Sequence, residues 1–126
     1  MKSLIFLLAI FTSDMAFTIT CVFENRTLSS PPLPSTYSCY HPILGNITDG
    51  ERLTAVFGGH TNNRTNDDLG YLRINCATAS TLVAFPTGIE DFFPNLFALS
   101  IRNCRIPTLI GNELELYQHL TWFEFD

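Results

Sequence analysis

The sequence predicts an α/β-type solenoid, built mainly of short parallel β-strands joined by irregular convex segments. Three observations predict it. A unit of the form L-x-x-L-x-L recurs as "LGYLRI", "LFALSI" and "LTWFEF", starting at Leu69, Leu96 and Leu120, with spacings of 27 and 24 residues. Within the unit the apolar residues keep one phase, so Leu72, Leu99 and Phe123 correspond, as do Ile74, Ile101 and Phe125. Between the units, aliphatic residues (Leu82, Phe85, Ile89, Phe93; Ile106, Leu109, Leu114) alternate with polar ones. Pro86 and Pro107 discourage a regular strand or long helix there, which suits a convex return path.

The chain opens with "MKSLIFLLAIFTSDMAFT". Lys2 supplies a positive end, and Leu4 to Phe11 is an unbroken apolar run. That run is shorter than the roughly 20 apolar residues that span a bilayer, so it reads as a secretory leader. Residues 1–16 are assigned to it, with Ala16 as its last residue, although Asp14 fits the small-residue rule poorly. No second long apolar run follows, so no membrane anchor is expected in this chain. The mature protein then contains residues 17–66 as an N-terminal cap and 67–126 as repeats.

Export gives the next features their meaning. Asn25, Asn46 and Asn63 each head an Asn-x-Thr triplet without proline in the middle, so each is a glycan acceptor and is expected at the surface. The four cysteines, Cys21, Cys39, Cys76 and Cys104, suit an oxidising compartment. Four cysteines allow three pairings. Neighbourhood favours Cys21 with Cys39, because both sit in strand-like runs flanking the Ser- and Pro-rich "ENRTLSSPPLPS". Such a bridge contributes about 3 kcal/mol in the chain-entropy description. Cys76 and Cys104 either pair across neighbouring strands or remain two buried thiols.

The middle unit carries a fuller pattern: Leu96, Leu99, Ile101, Cys104, Ile106. It resembles the leucine-rich repeat, L-x-x-L-x-L-x-x-N/C-x-L, with a period of about 20 to 29 residues. The first unit departs from it: Ala77 and Ala79 stand where an Asn or Cys and an aliphatic residue belong. Taken with "CVFENRT", "YSCYHPI" and "FPTGIEDFFPNL", most of the mature chain resembles the N-terminal part of secreted leucine-rich repeat proteins common in insects. The resemblance implies that the cysteine-bridged start is a β-hairpin cap covering one apolar end of the stack. The third unit runs to Asp126, so the sequence suggests an open sheet edge there that recruits a second copy, or a longer parent protein.

In stacked strands, residues alternating with the core face the concave side. These are Tyr71, Arg73 and Asn75; Ala98, Ser100 and Arg102; Trp122, Glu124 and Asp126. An exposed Trp with Arg neighbours is a composition favoured at binding hot spots, so this face is the expected partner-binding site. A plain solvated face, with Arg102 and Asp126 as a weak surface pair, is the bland alternative.

A catalytic constellation does not emerge. His41, His60 and His119 share no ligand spacing, and C-x-x-C, G-x-S-x-G and phosphate-loop motifs are missing. Asp67 and Asp68 lack the calcium-loop pattern around them. The net charge is −5 and Lys2 is the sole lysine, which argues against a nucleic-acid partner. No cofactor and no metal are expected. The reading is a secreted, non-catalytic module that recognises an extracellular protein. The N-terminal part of a membrane receptor's ectodomain is the alternative, and a small secreted hydrolase is the third.

Overall fold

The computed structural model describes residues 16–29, 32–47, 51–78, 81, 84, 86–106 and 113–125. Eight strands make up most of the regular structure there: β1 (Ala16–Thr20), β2 (Phe23–Ser29), β3 (Pro32–Cys39), β4 (Ile43–Leu44), β5 (Arg52–Phe57), β6 (Tyr71–Cys76), β7 (Ala98–Arg102) and β8 (Trp122–Phe125). They form two sheets. The larger runs β2-β3-β6-β7-β8, with β4 also on β6, and the smaller pairs β1 with β5.

The local sequences explain the strands. β2 and β3 form an antiparallel pair, Phe23 opposite Cys39, with a register shift between Arg26 and Leu28. Their facing ends are tied by the Cys21–Cys39 disulfide. β3 and then β4 lie parallel along β6, Cys39 opposite Leu72 and Ile43 opposite Asn75. β1 and β5 run parallel, and the Cys21 N–H extends their ladder by donating to Phe57 O at 2.7 Å. Gly58, at φ +127°, makes this junction feasible: a Cβ there would sit 2.2 Å from Cys21 O.

β6, β7 and β8 are parallel and in step. Leu72, Leu99 and Phe123 stand side by side, as do Ile74, Ile101 and Phe125. Leu72, Ile74, Leu99 and Ile101 are fully enclosed and join Ile19, Phe23, Leu53, Ile89 and Phe93 in one core. That core draws on residues from both the cap stretch and the repeat stretch. Cys76 bonds to Cys104, which settles the pairing the sequence left open.

The α/β-type solenoid is not what forms. The protein is mostly β, with a mixed parallel and antiparallel sheet and a short second sheet. The physical reason lies in the reach of the period. It governs only β6, β7 and β8, whereas β2 and β3 close an antiparallel hairpin and β1 pairs with β5 in a separate sheet. The described parts of the connecting segments also build too little helix for that class. Among the described residues they hold one α-turn, α1 (Ile89–Phe92), and 3-10 turns at Asn66–Asp68 and Glu113–Leu116. Such short helices cannot layer over a sheet as an α/β fold requires. Residues 1–15 of the expected leader lie outside the described residues, as do Ala79, Leu82, Phe85, Pro107, Leu109 and Asp126. Ala16, read as the leader's last residue, opens β1.

Candidate functional site

On β6 to β8, the side chains that alternate with the core share the opposite face of the sheet. The cross-strand rows are Tyr71–Ala98–Trp122, Arg73–Ser100–Glu124 and Asn75–Arg102. Thus eight of the nine residues proposed from the sequence come together, and Asp126 falls outside the described residues. The face is not a flat solvated one. Ala98 and Ser100 are small, so the large neighbours on β6 and β8 close over them, and both are fully buried. Tyr71, 1% exposed, packs with Ala98 and Leu33 in a second apolar cluster. Leu28, Tyr40, Phe97 and Trp122 border that cluster.

A polar chain runs across the face. The Tyr71 hydroxyl donates to Ser100 Oγ at 2.9 Å, and Ser100 donates to Glu124 Oε1 at 3.3 Å. Arg102 Nε lies 3.5 Å from the same carboxylate oxygen. Arg102 therefore has Glu124 as an ion-pair partner within the described residues. Burial raises the Tyr71 pKa, opposed by the bond to Ser100 and reinforced by nearby Tyr40. Two N–H groups on this face, Arg73 Nε and Trp122 Nε1, are enclosed without a hydrogen-bond partner among the described residues. Trp122 is half-buried rather than the open side chain the sequence suggested.

The hairpin adds residues that the sequence reading missed. Tyr40 meets Tyr71 edge-on at 5.5 Å. The Arg26 guanidinium lies 3.8 Å from the Tyr40 ring centre, and that of Arg73 lies 5.5 Å away. Arg26 is held in turn by Glu24, its Nε 2.8 Å from Oε1. The alternation of β2 shows which of its side chains share a side, but not that this side meets β6. Glu24, Arg26 and Leu28 point to one side, and exposed Asn25 and Thr27 to the other.

The remaining candidates lie elsewhere. His60 stacks on Phe23 at 3.9 Å and bridges Tyr37 (Nδ1, 2.8 Å) and Asn66 (Nε2, 2.7 Å), a structural link between loop and hairpin. Asp68 caps the 3-10 turn at Asn66–Asp68, its carboxylate accepting from the Thr65 N–H at 2.8 Å. Among the described residues no group of three His, Cys, Asp or Glu side chains is placed to hold a metal ion. A cavity of about 190 Å³ lies among Glu90, Asp91, Phe93, Pro94, Tyr117 and Gln118. Ligand pockets usually enclose about 300 Å³ or more. The sequon residues Asn25, Asn46 and Asn63 are all exposed. No described helix is long and apolar enough to cross a membrane.

Comparison with known protein families, characterised proteins and solved structures finds no match for this chain.

Proposed function

We propose that the chain is a secreted, non-catalytic recognition module that binds an extracellular protein through the β6–β8 face. One observation carries the reading. Tyr40, Arg73, Arg102, Trp122 and Glu124 lie together around the buried Tyr71, with two donor groups that no acceptor among the described residues satisfies. Aromatic residues and arginine gathered around a desolvated centre have the composition of binding hot spots. An enclosed donor without an acceptor costs about 1–3 kcal/mol, so rearrangement against a partner's carbonyl or carboxylate oxygens has something to gain. Export is part of the same proposal. Two disulfides and three exposed Asn-x-Thr sites are its support. The resemblance to secreted leucine-rich repeat proteins now rests on the three in-step strands alone.

A binding screen tests this. The glycosylated chain, made multivalent to raise avidity, is presented to an array of extracellular domains. Binding that disappears with Trp122→Ala and Arg102→Glu, in variants whose melting is near the parent's, supports the face. Binding unchanged by both substitutions refutes it.

A further inference from the structure

Of the three arginines on this face, two are neutralised within the protein: Arg26 by Glu24 and Arg102 by Glu124. Arg73 has no carboxylate within ion-pair distance among the described residues, and its Nε is enclosed without an acceptor. The acid nearest along its cross-strand row, Glu124, is already engaged by Ser100 and Arg102. Its aromatic neighbour Tyr40 already carries the Arg26 cation at closer range. Among the described residues a spot of uncompensated positive charge thus survives, on a chain of net charge −5.

We propose that Arg73 is an anchor for a carboxylate of the partner, an aspartate or glutamate side chain set among apolar residues. This deepens the recognition reading and rests on it. Charge complementarity selects the carboxylate, and the planar guanidinium can hold it with two parallel N–H bonds. The apolar surroundings select a peptide over a sulfated glycan. Tyr40 and Trp122 offer partly exposed ring surface to neighbouring side chains, whereas a polyanion needs several unpaired cations, and this face has one among the described residues. The carboxylate also replaces the missing acceptor near Arg73 Nε after a small side-chain shift.

The test uses the full glycosylated chain with three probes: a peptide of alternating aspartate and leucine, its asparagine counterpart, and a heparin oligosaccharide. NMR follows the arginine Nε–H signals and the indole N–H of the single tryptophan, Trp122. The aspartate peptide is expected to shift the Arg73 and Trp122 signals. Its affinity should fall at least tenfold with Arg73→Gln, less with Arg73→Lys, and also with the asparagine peptide. Equal affinity for Arg73→Gln, binding of heparin alone, or no binding of the aspartate peptide overturns the proposal. With a protein partner in hand, binding kept by Arg73→Gln but lost by Trp122→Ala overturns the anchor and leaves the face. Binding kept by both overturns the face itself.

Discussion

Tyr71 and Ser100 meet hydroxyl to hydroxyl at 2.9 Å across β6 and β7, and neither is open to water. The contact is diagonal, since Tyr71 pairs with Ala98 and Ser100 with Arg73. It turns a bulky phenol sideways over a small residue, and so roofs the middle strand. Replacing Ser100 by Ala leaves the phenol proton without its acceptor. The expected loss is about 1–3 kcal/mol, read by urea unfolding. Tyr71→Phe removes the other partner. The double variant should be less destabilised than the sum of the single ones, because no orphan remains. Additive losses would show that the two hydroxyls do not act together.

The Cys76–Cys104 bridge spans 28 residues, ties the end of β6 to the chain just after β7 and joins two in-step strands. Its removal by Cys76→Ser with Cys104→Ser releases the intervening loop in the unfolded chain. A destabilisation of about 3–4 kcal/mol is expected in denaturant titration. A change under about 1 kcal/mol would mean that this bridge constrains little.

Alkaline pH should weaken the fold. Burial raises the pKa of both Tyr71 and Tyr117 above the ordinary 10.0, with Glu90 adding to the effect at Tyr117. In the native state both phenols therefore hold their protons after the unfolded chain has begun to lose them. By linkage, stability is full below pH 10.0 and falls as the pH rises above it, by up to about 1.4 kcal/mol per pH unit for each group. Melting between pH 9 and 11 checks this, and Tyr117→Phe should flatten the decline. An unchanged decline would place its cause in other groups.

The in-step strands were readable because a parallel ladder repeats its core positions at one phase. Leu72, Leu99 and Phe123 announce one another in the sequence. The period says nothing of the stretch before residue 67, read only as a cap, yet five of the eight described strands come from it. β1 and β5 pair across 36 residues, Ala16 with Arg52, and no repeat links their sequences. The hairpin's share of the candidate face was equally hidden. Tyr40 meets Tyr71 and Arg73, and Arg26 covers Tyr40, because the hairpin lies alongside β6, a tertiary fact with no local signature. Burial of Ser100 likewise follows from what its neighbours on other strands can cover, not from its own segment.

Asn25, Asn46 and Asn63 are exposed, so expression in a secretory host should attach glycans to them. Intact-mass measurement should show each Asn→Gln substitution removing one glycan. Asn25 projects from β2 away from Arg26 and Leu28, so its loss should leave the β6–β8 face unchanged in binding. A chain secreted without any glycan would weaken the case for these sites as acceptors.

Hydroxyl-radical footprinting of the chain bound to a partner from the extracellular array tests the central claim most directly. Tyr40 and Trp122 border the proposed contact, while Phe57, 55% exposed, belongs to the other sheet. Protection of Tyr40 and Trp122 with Phe57 still reactive is the predicted result. Protection of Phe57 with Trp122 unchanged would contradict it.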